Sequence, residues 1–213
     1  MPDVKHFDPD AALEQVMRLF WERGADVTGI ADVVQATGLS RSSLYATFGG
    51  KERLQAAALG RYLERRSRPV FDALAADRRG LPAIASFFEQ LVAARCTGEH
   101  ARWGCLVTNT HTGAGRELPE VRQVLDAHHA ELRAAMRAAL TVAAGLGQVR
   151  PGLDADAAAE TLALLAYGVN LRSRAGADPG DLLAGVRAVL DGFARTVTET
   201  ATEPVTDTVT EER

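Results

Sequence analysis

Apolar residues recur along this chain at three- and four-residue spacing over most of its length, the period of helices that each bury one face. The first run covers residues 10–23, with Leu13, Val16, Met17 and Phe20 on one side, Asp8 or Asp10 placed to cap its start, and Gly24 ending it. A second, short segment, Ile30–Thr37, carries Ile30, Val33 and Val34 on one face. Gly38, Leu39 and Ser40 separate it from a third, Arg41–Phe48, whose Leu44 and Phe48 lie four apart and face inward. Gly38 stands where one helix must stop and the chain reverse, a place that favours positive φ. Ser40 can accept a hydrogen bond from a first-turn amide and so start the next helix at a defined residue. Two short helices joined by so tight a turn form the pattern of a helix-turn-helix, whose second helix enters the DNA major groove.

A fourth run spans residues 51 to 76, with Leu54, Ala58, Tyr62 and Leu63 inward and Pro69 predicting a kink or break near Arg68. The sequence RRGLP then interrupts the pattern at 78–82. Beyond it follow an amphipathic run at 82–97 with Ile84, Phe87, Phe88, Leu91 and Val92, and a short glycine-bounded helix at 104–115. A long helix at 118–145 carries Val121, Val124, Leu125, His128, Leu132, Ala135, Met136 and Leu140 at core spacing. A helix capped by Asp154 runs to about residue 174, and a last one covers 181–197. The reading is an all-α protein of about nine helices. It divides into an N-terminal three-helix domain at 1–50, a connecting helix from 51 to about 76 and a C-terminal helical domain at 77–198. The threonine- and acid-rich stretch at 199–213 is read as a disordered tail.

The net charge of −4 opposes nucleic-acid binding only as a sum. Residues 34–68 hold seven lysines and arginines against two glutamates, a local +5, while residues 69–213 sum to −5. A local basic face is enough to attract phosphate, because distant charges are screened. No apolar run approaches the roughly 18 residues that span a bilayer, and MPDVKHFDPD lacks the apolar centre of a signal peptide, so no membrane partner and a cytoplasmic location are expected. Cys96 and Cys105 have no CxxC spacing and suggest neither a zinc ribbon nor a disulfide scaffold.

Thr28, the run IADVVQATGLSRSSLYATF and the GGKERL that follows resemble the N-terminal domain of the TetR family of bacterial transcriptional regulators. The resemblance covers residues 10–60 and lies in an ordered series of features rather than in the helix-turn-helix alone. It implies a dimeric repressor that binds a palindromic double-stranded DNA operator and is released by a small molecule held in its C-terminal domain. Carried onto this chain, it assigns Ser42, Ser43 and Ala46 to base edges, and Arg41, Tyr45, Thr47 and Lys51 mainly to phosphates; Arg41 can alternatively read guanine. Thr28 is placed to cap the second helix and to offer its hydroxyl to a phosphate.

For the inducer cavity, the candidate lining is Phe87, Phe88, Leu91, Trp103, Thr108, Asn109, Thr112, His128, Leu132 and Met136. Together with His111, these are more polar groups than a helical core of this size would hold without a partner, and they suggest an apolar or aromatic ligand with one or two hydrogen-bonding groups. Cys105, in the first turn of a helix, is the candidate for an alternative: a regulator that senses oxidants or electrophiles, as family members with a similar GCLV segment do. A further alternative is a ligand-binding protein whose DNA contacts are mainly nonspecific. For the homodimer, the candidate interface is the stripe of the last two helices, Leu162, Leu165, Ala166, Val169, Leu183, Val186, Leu190 and Phe193. His128 and His129 point about 100° apart and no third ligand accompanies them, so no metal is expected. No cofactor is expected either, and nothing in the sequence argues for catalysis: GAGRELPE lacks the lysine and hydroxyl of a phosphate-binding loop.

Overall fold

A computed structural model describes residues 7–195. The tail read at 199–213 falls wholly outside those residues. The described chain is helical without a named strand: α1 (Pro9–Arg23), α2 (Ile30–Thr37), α3 (Arg41–Phe48), α4 (Lys51–Tyr62), a π turn (Leu63–Ser67), α5 (Arg68–Ala76), α6 (Leu81–Cys96), α7 (Leu106–His111), a 3₁₀ turn (Ala114–Glu117), α8 (Pro119–Gly145), α9 (Ala155–Arg174) and α10 (Pro179–Phe193). Taking α4, the π turn and α5 as one rod gives nine helices among the described residues.

The ends of the first helices follow from their caps. Asp8 accepts the amide of Asp10 at 2.9 Å, with Pro9 in the first turn of α1. Gly38 ends α2 in the left-handed region at φ 67°, its N–H bonded to the Val34 carbonyl at 2.9 Å. Ser40 Oγ accepts from the Ser43 amide at 3.1 Å and opens α3. Leu44 is buried and Phe48 packs against the same core as Val33. The expected break near Pro69 is a π turn just before it, where the Arg68 amide bonds back five residues to Leu63. Proline has no N–H and its ring crowds the carbonyl four residues earlier, so the helix widens ahead of it.

Two hydrophobic cores form. The first gathers Val16, Phe20, Trp21, Val33, Leu44, Leu54, Leu59 and Tyr62, and draws in Cys105, Leu106, Val107, Val121 and Leu125 from much later in the chain. The second joins α5, α6, α8, α9 and α10 around Phe88, Met136, Leu140 and Leu162. The start of α8 thus belongs to the core of the reading head and its remainder to the C-terminal bundle.

Of the eight residues expected at the dimer interface, this packing corrects five. Leu162, Ala166, Val169, Val186 and Leu190 are buried in the chain's own second core, and Leu165, Leu183 and Phe193 pack partly against it. The strongest apolar stripe of each helix has been spent on its nearest neighbours, α6 and α8. What α9 turns outward is Thr161, Leu164, Gly168 and Leu171, with Leu164 57% and Leu171 52% exposed. On α10 the outward residues include Ala184, Gly185, Ala188 and Gly192. The last helix also begins earlier than expected, at Pro179 with Asp178 as its cap.

Candidate nucleic-acid interface and ligand cavity

The outer face of α3 presents Arg41, Ser42, Tyr45, Ala46 and Thr47 to solvent, and Tyr45 is 42% exposed. The Arg41 guanidinium carbon lies 5.6 Å from the centre of the Tyr45 ring, one helical turn away, so the two form one cationic and aromatic ridge. Ser42 and Ser43 hydroxyls share the Ser40 hydroxyl at 2.9 and 2.8 Å. Ser43 is half-buried, and its amide is already the cap donor. Lys51 is the first residue of α4, half-exposed beside the Gly49–Gly50 turn.

Thr28 does not take the place expected of it. It is 2% exposed, and its hydroxyl donates to the Gly24 carbonyl at 2.6 Å. The cap of α2 is Gly29, whose amide donates to the Asp32 carboxylate at 2.7 Å. Thr28 therefore ties off the turn between α1 and α2 from inside, its hydroxyl proton committed to the Gly24 carbonyl. The basic excess of residues 34–68 is also spent in part within the chain. Arg61 pairs with Asp10, Arg66 with Glu14 at 3.8 Å, and Arg68 with Glu131 at 2.9 Å. Arg41, Lys51 and Arg53 remain for the α3 side.

A cavity of about 310 Å³ opens where the reading head meets the C-terminal helices. Trp21 of α1 forms one wall, and Arg66 and Ser67 of the π turn another. Phe71, Phe87, Leu91, Leu132 and Ala166 supply apolar surface. Gln90, Arg95, His100, Cys105, His128, Tyr167 and Asn170 supply polar groups, and Val70 and Ala94 complete the lining. Of the residues expected there, Phe87, Leu91, His128 and Leu132 line it and six others do not. Phe88 and Met136 are sealed in the second core at 0% exposure. Trp103 stands edge-on to Trp21, and its carbonyl takes the Asn109 amide group at 2.8 Å. Thr112 is exposed and bonds the Asn109 carbonyl, while Thr108 is buried away from the lining. In α7 only Thr110 bonds back to the helix, to the Leu106 carbonyl at 2.8 Å, while Thr108 Oγ1 is buried without a partner among the described residues.

The polar lining is unusual in what it lacks. Arg95 donates to the Tyr62 hydroxyl at 3.0 Å and to Asn170 Oδ1 at 2.7 Å, and its guanidinium carbon sits 5.6 Å from the Trp21 ring centre, but no lining residue is a carboxylate. His100 Nε2, His128 Nδ1 and Tyr167 Oη are buried without a hydrogen-bond partner among the described residues. Buried polar groups are ordinarily paired, so three unpartnered polar atoms around one cavity set this lining apart from an ordinary core. Burial pushes the Cys105 thiol up, yet the neighbouring His128 imidazole, then the Arg95 charge, outweigh it and hold the thiol down at about 6. Burial, and next the negative charge of Cys105, raise the Tyr62 hydroxyl far above its ordinary range. The Tyr167 hydroxyl is raised by the same two causes in the same order. Arg95 stands in the last turn of α6, in line with Phe88 and Val92, and Trp21 near the end of α1; a charge or a large ring with a polar edge following an apolar stripe was the available signal for both.

A capped helix pair with a solvent-facing second helix, carried on a separate helical body, defines the class of helix-turn-helix transcription regulators. Residues 12–58 match the family described as bacterial regulatory proteins, tetR family, and residues 80–190 match the tetracyclin repressor-like C-terminal domain. The chain belongs to the TetR family of DNA-binding transcription regulators. It is 32% identical to the HTH-type transcriptional repressor ComR of Escherichia coli (strain K12) over 81% of this chain and 82% of that one. Among solved structures it resembles a cysteine-substituted form of the TetR family regulator CifR complexed with 26 bp double-strand operator DNA, at 29% identity and a TM-score of 0.77, covering 89% of this chain and 98% of that one. The reduced form of E. coli NemR shares the fold, with a TM-score of 0.71 at 18% identity, covering 84% of this chain and 96% of that one. No described helix is long and apolar enough to cross a membrane.

Proposed function

We propose that this protein is a dimeric repressor that holds two α3 helices against successive major grooves of a palindromic operator and lets go when a small electrophile reacts at Cys105. The observation that carries the reading is the placement of one cavity: its walls are Trp21 and Arg66 of the head-bearing half and Phe87, His128 and Tyr167 of the sensor half, so filling it alters the junction between them. A ligand shifts this equilibrium only by binding or reacting differently with the two arrangements. Arg41, Tyr45, Thr47 and Lys51 contact phosphates, with Ser42 and Ala46 nearest the base edges. The outward faces of α9 and α10, led by Leu164 and Leu171, pair with their copies about a twofold axis, which sets the heads about 34 to 36 Å apart.

The chemistry needs no oxidant. The Cys105 thiolate forms an S–C bond to a conjugated acceptor, the acceptor's π pair moves away from sulfur, and the proton that left the thiol returns to the adjacent carbon. A second reading, reversible binding of a neutral apolar ligand with hydrogen-bonding groups, is favoured by the unpaired His100, His128 and Tyr167 atoms. Fluorescence anisotropy on a selected palindromic duplex separates them. Treatment with N-ethylmaleimide releases the wild-type protein, while Cys105→Ser binds the duplex and ignores the reagent. A Cys105→Ser protein released as readily as wild type refutes the covalent reading, and equal binding to random duplex refutes the operator reading.

A further inference from the structure

The segment that leaves the cavity at Cys105 ends on the reading head. Cys105 precedes α7, and after α7 the chain turns through Gly113 into the 3₁₀ turn beginning at Ala114. There the Asp26 carboxylate, in the turn just ahead of α2, accepts the Ala114 amide at 2.9 Å and the Gly115 amide at 3.3 Å. Gly113 and Gly115 have φ values that do not call for glycine; they are there for room. A Cβ on Gly113 would overlap the Asp26 carboxylate, and one on Gly115 would overlap the Gln55 side-chain amide of α4. At the other end, the Trp21 indole donates to the Gly104 carbonyl at 2.9 Å, next to the thiol. The intervening stretch is mostly one short helix, anchored by buried Leu106 and Val107.

We propose that Asp26 is the positioning residue of this regulator: its carboxylate clasps the 3₁₀ turn and transmits a displacement of α7 to the turn that aims the helix-turn-helix. The inference rests on the proposed reaction at Cys105 as the source of the displacement. Cys105 is 3% exposed, so an adduct there needs volume, and α7 is the element that begins at it. The path runs outside α4, and it acts on the α1–α2 turn, where Thr28 and Asp32 also fix the backbone. A carboxylate suits this task because each of its two charged oxygens takes one of two successive amides, whereas an amide side chain has a single, neutral acceptor oxygen.

The test uses the full chain carrying Cys96→Ser, so that N-ethylmaleimide reports on Cys105 alone, with mass spectrometry to verify one adduct per chain. Operator affinity is measured before and after modification. With Asp26 intact, modification lowers affinity at least about tenfold, within the range of ordinary allosteric coupling. Asp26→Ala modifies to the same extent but loses less than about threefold, Asp26→Asn falls between, and Gly113→Ala behaves like Asp26→Ala because its methyl displaces the carboxylate. Equal release of the Asp26→Ala and Asp26-intact proteins overturns the clasp. If the Asp26-intact protein is fully modified and keeps its operator, it is the Cys105 reading that fails, and the clasp then lacks its input. Circular dichroism melting of each variant before modification excludes unfolding as the cause of any loss, and an unmodified Asp26→Ala protein that cannot bind operator at all also overturns the assignment, since the clasp would then be needed for the head's shape.

Discussion

Arg95 Nη2 donates to the hydroxyl of Tyr62 at 3.0 Å, joining α6 of the C-terminal domain to the rod that follows the reading head. Neither group has a carboxylate partner among the described residues, and the positive charge of Arg95 favours the thiolate form of Cys105. An adduct that neutralises the sulfur leaves a buried guanidinium without its counter-charge, which is costly in a low-dielectric site.

The reactivity of Cys105 should therefore follow an acid-shifted titration. The rate of its alkylation, measured by mass spectrometry against pH, is expected to reach half its maximum near pH 6. Replacing His128 by Phe or Arg95 by Met removes a stabilising partner of the thiolate, and the midpoint should move toward the ordinary thiol value of 9.0. A midpoint unmoved by either change would show that neither residue acts on the thiol.

The same depressed value makes a prediction for stability. A thiol whose folded value lies below its unfolded one contributes stability in full above the unfolded value, 9.0 here, and loses it as pH falls through the folded value of about 6. The gap in melting temperature between the wild type and Cys105→Ser should accordingly widen as pH is raised from about 6 to 9. A gap that narrows over that interval contradicts the sign.

Thr28 and Arg41 should separate cleanly. Thr28→Val removes an internal hydrogen bond to the Gly24 carbonyl, so it should cost about 1 kcal/mol of stability in denaturant melts and leave the salt dependence of operator binding unchanged. Arg41→Ala should leave stability within about 0.5 kcal/mol and lower the salt-dependence slope by about one. If the Thr28 variant alters the slope, the hydroxyl does reach phosphate after all.

These contrasts show what was legible from the sequence and what was not. Short-range rules were enough for the reading head: Gly38 adopts its left-handed turn, Ser40 caps α3, and Leu44 and Phe48 lock it, because each depends only on residues a turn away. Thr28 was misread because a cap and a buried staple look alike until the neighbouring turn is known. The cavity was only partly legible, since its walls bring Trp21, Arg66, Arg95 and Tyr167 together from distant segments, and periodicity reports that a face is buried without saying against what. Cys105 was singled out for its helix start, while the larger causes of its low value, His128 and Arg95, come from other helices.

The same blindness of periodicity to partners governs the dimer. Leu162 and Leu171 both belong to α9, but Leu162 is fully buried among α6 and α8 neighbours and Leu171 is 52% exposed. Leu162→Ala should leave a cavity and cost roughly 2–5 kcal/mol in thermal or denaturant unfolding without changing the subunit count. Leu171→Arg, paired with Leu164→Arg, places charges on the outward face and should leave the melting of the isolated chain nearly unchanged while light scattering reports a monomer. Because two weakly held heads bind an operator far less tightly than two linked ones, the same double variant should lose operator affinity by about 10²-fold or more. A double-arginine variant that stays dimeric would place the twofold contact elsewhere on the molecule.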